Sequence, residues 1–270
     1  LVVEKREVLG GIAAGEEFHP GYSTTGLLHD TSAVRSDVVK QLQLEKYGLE
    51  FENARADVTL LSKDGKSVTI QDSVEATADA MQEFSEKDAQ AYKEYQAFLK
   101  KISKVINGLM DNPPPDVDVE NLTMASLVVL AKKGMTLKGL GNKTMMELLK
   151  VAPMCVTDFL NEKFETDFIK AGIAAPALYG AYAAPWSAYS SINLLLWECA
   201  ARGNVKGGPQ ALVNALEKAA VAEGVDIRTG SEVEKILLGD DGAAIGVRLV
   251  GGEEIHSSKA LLEGNLCTFF

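Results

Sequence analysis

The chain has 270 residues, 46% of them hydrophobic and 24% charged, which is enough to bury one large core or two smaller ones. A formal net charge of −11 argues against a nucleic-acid partner, which would need a basic stripe, and disfavours electrostatic attachment to anionic membranes. Cys155, Cys199 and Cys267 are too few and too scattered for a disulfide framework and point to a reducing, cytoplasmic compartment, and His19, His29 and His256 form no HxxxH or CxxC-type ligand pair for a metal.

The chain opens on "LVVEKREVLGG". "LVV" has the branched apolar signature of an interior parallel strand, yet chain termini usually lie at the surface. Two readings stay open: polypeptide lies upstream of Leu1, or this is an edge strand with a misleading composition. Residues 1–71 then read as strand, glycine turn, a loop with a short helix, and a hairpin. "DVTLLSKDGKSVTI" supplies the hairpin, with apolar arms on either side of Asp64-Gly65.

Residues 72–202 read as helical. Val74, Ala78, Met81, Phe84, Tyr92, Tyr95, Phe98, Ile102, Val105 and Leu109 recur mostly at three- and four-residue spacing, which predicts one long amphipathic helix or two in succession. "NPPPD" at 112–116 breaks that pattern. Further helices are expected at about 119–132, 144–151, 156–172 and 187–202. "GLGNKT" at 139–144 has the residue order of neither a dinucleotide loop nor a phosphate loop and reads as a helix-connecting turn. No residue between 171 and 197 is charged, a stretch longer than the ~20 residues that cross a bilayer. Pro176 and Pro185 interrupt it, and its Ala, Ser, Gly and Tyr are weakly hydrophobic, so a buried or cavity-lining helical layer is expected rather than a span.

The remainder alternates again. "GGPQALVNALEKAAVAEG" is a helix with Pro209 in its first turn and Gly224 at its C-terminal end. "VDIRT" is a short strand, "SEVEKILL", "AAIGVRLV" and "EEIHSS" form an antiparallel meander, and "KALLEGN" looks like one strand more. Mixed elements at both ends around a helical middle predict a discontinuous α/β domain, residues 1–71 and 203–270, interrupted by a helical domain at 72–202.

Glu4 is the first candidate for chemistry. In dinucleotide-binding βαβ units an acid at the end of the second strand accepts hydrogen bonds from a ribose, about 20 residues after a glycine-rich loop. That loop would lie upstream of residue 1, and from spacing alone Glu4 is an ordinary exposed strand-end carboxylate. The combination "EKREVLGGI", with Glu4, Arg6, Gly10 and Gly11, resembles the second-strand signature of FAD-dependent amine oxidases and phytoene-desaturase-like enzymes, roughly E-x-R-x-x-x-G-G-R. Ile12 stands where many members have the last arginine. "GGPQALVNALEKAAVAEGVDIRTGSEVEKILL" is similar to the family's Gly-Gly turn, helix and strand pair, and "EEFHPGYSTTGLLHD" looks like the segment that runs beneath the flavin. The resemblance covers most of the chain, is strongest at its two ends, and is closest to the phytoene-dehydrogenase-related branch.

This resemblance implies a split Rossmann-like, glutathione-reductase-like FAD-binding domain with an antiparallel meander, and an inserted, mainly helical substrate domain. It implies FAD as cofactor. Glu4 would take the ribose, and Arg6, Gly10 and Gly11 would lie close to the nucleotide. Gly26, with Gly21 and Tyr22, would run beneath the flavin, and the peptide groups of Val233 would face the adenine. Hydride would pass from a hydrophobic small molecule to the flavin, and the 171–197 stretch, with Tyr179, Tyr182, Trp186 and Tyr189, would be the apolar wall against which that molecule lies. No catalytic residue is named: His29 and His256 could act as bases by residue type alone, and His256 is expected at the surface. No transmembrane span is expected, while peripheral membrane contact stays open. On this reading the upstream glycine loop and a C-terminal flavin-contacting segment fall outside the sequence, so these residues are expected to be a fragment that binds FAD weakly or not at all by itself. Two rivals remain: a non-catalytic remnant or interaction domain of the same fold, and an NAD(P)-dependent oxidoreductase with Glu4 on the nicotinamide nucleotide. The helical insert and the Gly pair disfavour the second.

Overall fold

The computed structural model describes residues 1–25, 27–111, 124–200, 203–257 and 259. In chain order the elements are β1 (Val2–Val3), β2 (Glu16–His19), β3 (Tyr22–Thr24), α1 (Ser36–Gln41), β4 (Val58–Leu61), β5 (Ser67–Ile70), α2 (Val74–Gln82), α3 (Glu86–Met110), α4 (Met124–Lys138) and α5 (Asn142–Val151). There follow α6 (Val156–Asn161), α7 (Asp167–Ala174), α8 (Ser190–Ala200), α9 (Gly208–Ala222), β6 (Ile227–Arg228), β7 (Val233–Leu238), β8 (Ala244–Leu249) and β9 (Glu254–His256). This α/β chain forms two units, one drawn from Leu1–Thr31, Val38–Glu50 and Val205–Phe270, the other from Ser32–Asp37 and Phe51–Asn204.

In the first unit β1 pairs in parallel with β6, Val2 opposite Ile227 and Val3 opposite Arg228. Leu1 and Val2 are 54% and 46% exposed, so the strand is half covered by the residues described. The helix α9 buries Val213 and Ala215 beside the 3-10 turn Leu44–Tyr47, where Leu44 and Leu49 are fully buried. Pro209 sits in the first turn of α9, where its missing N–H costs no hydrogen bond. Strands β7, β8 and β9 form the antiparallel meander that the alternation predicts, with Val247 and Leu249 buried on one face.

A second hairpin, β2–β3, stands where the sequence reads as loop. Its turn is Pro20-Gly21, with Gly21 at φ 80, and Glu17 Oε1 accepts from Gly21 N at 2.7 Å. Pro-Gly is a turn signal, but all of Glu16–His19 is exposed, so the strand has no apolar alternation to betray it.

The second unit is built on α3, 25 residues or about 37 Å long. The apolar periodicity of 74–109 resolves into two helices. Ser85 ends the first stretch and caps α3, its Oγ accepting from Asp88 N at 3.0 Å. Tyr95 and Ile102 from α3, Met81 from α2, Phe159 from α6, Phe164, and Leu194 and Leu195 from α8 are all fully buried in one cluster. The β4–β5 hairpin turns at Asp64-Gly65 as expected and packs in this unit, with Val68 buried in the same cluster.

Two helical expectations are corrected. The helix expected over 156–172 is two helices, because the chain leaves helical geometry after Asn161 and restarts at Asp167. The fully buried carboxylate of Asp88 holds the break: Oδ1 accepts from Glu165 N at 2.7 Å and Oδ2 from Thr166 N at 3.0 Å. Those N–H groups belong to the N-cap residue of α7 and the residue before it, and a carboxylate there also complements the helix dipole. The uncharged 171–197 stretch is not one buried helical layer. It is the end of α7, a 3-10 turn Ala175–Leu178, an exposed irregular loop and then α8. No helix among the described residues is long and apolar enough to cross a membrane. The break expected at 112–116 and the strand expected in "KALLEGN" lie outside the described residues, apart from Lys259.

Candidate functional site

The opening strand and residues 226–231 meet at Glu4. The β1–β6 pairing continues past both strands: Glu4 N donates to Arg228 O at 2.9 Å, Ser231 N to Glu4 O at 2.8 Å, and Gly230 N to Arg6 O at 3.0 Å. With its main chain held on both sides, Glu4 folds its side chain back, and Oε1 accepts from Arg6 N at 2.8 Å. Oε2 has no hydrogen-bond partner among the described residues. The guanidinium of Arg6 donates from Nη1 to Gly11 O at 3.2 Å, closing a loop over residues 6–11.

The two glycines differ in what they face. Gly10, at φ 115, lies so close to α9 that a Cβ there would come within 2.7 Å of Val213 Cγ2. Gly11, at φ 54, has no atom within 4 Å of where its Cβ would be. Gly10 therefore serves the packing of the loop on α9, and Gly11 leaves backbone open to a ligand. Val233 begins β7 opposite Leu249, half-buried. It is two residues beyond the Ser231 that bonds Glu4, and next to Glu232, whose Oε1 pairs with Lys5 Nζ at 2.7 Å. Glu4, Arg6, Gly10, Gly11 and Val233 are thus assembled around one strand end, whereas Gly26 lies outside the described residues. The assembly offers one carboxylate oxygen to hydroxyl donors, a guanidinium and open peptide backbone, a set suited to holding a nucleotide rather than to moving protons.

The four aromatic candidates belong to the second unit and are all exposed: Tyr179 at 63%, Tyr182 fully, Trp186 at 72% and Tyr189 at 64%. Tyr179 meets Trp197 edge to face, with ring centroids 5.7 Å apart. The loop carrying them is tied at its base. Ser190, buried, accepts from Val156 N at 2.8 Å and donates to Ser187 O at 2.7 Å, and Tyr189, strained at φ 65, donates its N–H to Pro153 O at 3.2 Å. Sequence reading missed Ser190, because a single serine at a helix start carries no sign of the distant amide it will bond. His29 and His256 are both exposed. Among the described residues no three His, Cys, Asp or Glu side chains gather as a metal site.

A separate cavity of about 450 Å³ opens on the surface of the second unit between α2, α3 and α8, with Glu75, Lys93, Ala97 and Lys100 exposed around it. Arg55 Nη1 and Glu198 Oε2 pair at 2.8 Å on its wall. Burial, and then the neighbouring Glu198 charge, pushes the Cys199 thiol on the same wall up to about 12.

Set against known proteins, residues 1–262 match the family described as flavin containing amine oxidoreductase. The chain is 30% identical over 280 residues to the pyridine nucleotide-disulfide oxidoreductase domain-containing protein 2 of Rattus norvegicus, an alignment that covers 96% of this chain and 48% of that protein. It is 29% identical over 195 residues to the hydroxyneurosporene desaturase of Rubrivivax gelatinosus, covering 72% of this chain and 34% of that one. An oxidoreductase of known structure from Methanosarcina mazei shares its fold at a TM-score of 0.52 and 15% identity, over 95% of this chain and 51% of that chain. The chain spans about half the length, or less, of these curated relatives.

Proposed function

Because the chain belongs to the flavin containing amine oxidoreductase family, we propose that the whole protein is an FAD-dependent oxidoreductase that takes hydride from a hydrophobic small molecule. The observation that carries this reading is the strand end at Glu4. One carboxylate oxygen is left for a ribose hydroxyl, Arg6 clasps the loop, and Gly11 leaves its backbone uncovered. These residues fit the adenosine half of the cofactor. Glu4 would accept from the ribose, Gly11 would let the nucleotide approach the main chain, and the peptide of Val233 would meet the base.

Bound FAD supplies the hydride acceptor, so the protein's share is orientation and exclusion of water rather than acid–base chemistry. On this reading Tyr179, Tyr182, Trp186 and Tyr189 offer the apolar surface for the substrate. The relative from Rubrivivax gelatinosus is named as a desaturase of hydroxyneurosporene, which supports a hydrophobic substrate class here. We assign the nucleotide-binding part to the two ends of the chain, in a Rossmann-like arrangement, and the substrate part to the helical insert, with the β4–β5 hairpin going with the insert. The scarcity of cysteine supports a reducing, cytoplasmic location.

The test is the visible spectrum of the purified whole protein, with FAD titration of any apoprotein. Flavin bands are expected, and Glu4→Gln should weaken FAD binding about tenfold or more, the loss of a hydrogen bond to a charged acceptor. A colourless protein that takes up no added FAD would overturn the proposal.

A further inference from the structure

The cavity in the helical unit has a lining out of keeping with the molecule around it. The chain carries 38 acidic and 27 basic residues, yet the stretch of α3 from residue 93 to 104 holds Lys93, Lys100, Lys101 and Lys104 against Glu94 alone. Among the described residues none of these four lysines has an acidic partner within ion-pair distance. Two of them, Lys93 and Lys100, line the cavity. They are two helical turns apart, about 10 Å along the axis, on the side of α3 that also presents Ala97.

The same lining includes Arg55, held by Glu198, whose side chain is only 11% exposed. That carboxylate is already matched, and Glu75, exposed in the first turn of α2, is the other acid of the lining. With Arg55 and Glu198 neutralising one another, Lys93 and Lys100 face Glu75 alone, a net excess of one positive charge. Cys199 adds no charge, since its thiol keeps its proton at any physiological pH. Val74, Ala97 and Leu99 add apolar surface beside the polar Gln96 and Ser103, and a volume of about 450 Å³, open to solvent along the exposed Lys93, Ala97 and Lys100, suits a molecule of metabolite size.

We propose that this cavity binds a small organic anion, its carboxylate or phosphate group held by Lys93 and Lys100 and its apolar frame lying against Val74, Ala97 and Leu99. All the lining residues belong to the helical unit, so the inference does not rest on the flavin reading.

The test is calorimetric titration of the whole protein with phenyl phosphate, benzoate and inorganic phosphate at constant ionic strength. Saturable one-to-one binding of at least one of the two organic anions is expected, weakened at least tenfold in Lys93→Gln/Lys100→Gln. Lys101→Gln/Lys104→Gln, on the same helix but outside the cavity, should stay within twofold. All four lysines are exposed, and circular dichroism checks that each variant folds. No saturable binding of either organic anion overturns the proposal. So does an equal loss in both lysine double variants, which would reduce the effect to the general charge of α3. Inorganic phosphate binding as tightly as phenyl phosphate would overturn it too, since the apolar wall would then contribute nothing.

Discussion

Asp88 shows how much one buried side chain can organise. It lies in the first turn of α3, fully buried, and its two oxygens accept the main-chain N–H groups of Glu165 and Thr166. Hydrogen bonds to a charged acceptor contribute ~1.5–3 kcal/mol each, so Asp88→Ala should destabilise the protein by about 3 kcal/mol in urea denaturation. Asp88→Asn should recover little, because an amide places an N–H group where an acceptor is needed. A loss below about 1 kcal/mol for Asp88→Ala would show that the N–H groups find other partners. At this scale the sequence was half legible. The pair Gly10-Gly11 was visible in it, but the different work of the two was not, because Gly10 is constrained by Val213, far along the chain on α9.

Along the elements, pattern was readable wherever one face of an element is buried and unreadable where neither is. The α2–α3 periodicity, the β4–β5 hairpin, α9 and the β7–β9 meander all have a buried face and match the expected positions. The β2–β3 hairpin has none, and the α6–α7 break depends on a carboxylate from another helix. The packing of α3 against α8 has a consequence in alkali. Burial leads the upward shifts of Tyr92 and Tyr95 from 10.0, and of Cys199 from 9.0 to about 12, and the Glu198 charge adds to all three. In each case the folded state keeps a proton that the unfolded chain gives up. The stability gained is whole below the unfolded values and is lost as pH rises through 9.0 towards about 12. The urea midpoint should therefore hold below pH 9.0 and fall above it, and Cys199→Ala combined with Tyr95→Phe should flatten that fall. An unchanged slope in the double variant would assign the alkaline loss to other groups.

For the molecule as a whole, the nucleotide-binding candidates were legible because they sit in two continuous blocks of sequence, one at each end. The anion cavity was not, because its lining is gathered from residue 55, the start of α2, the middle of α3 and the end of α8. The same gathering of distant residues governs the order in which the chain acquires structure. The α2–α3 pair closes over a few residues, whereas the ladder at Glu4 joins partners such as Lys5 and Glu232, 227 positions apart. Loop closure grows only slowly with length in free energy, but contacts of such separation are late in time. In pulsed hydrogen exchange during refolding, the amides of α3 should gain protection before those of Glu4 and Ser231. The strand end at Glu4, the proposed nucleotide site, would then be the last part of the chain to take shape, and a nascent molecule would hold a finished helical core before that site exists.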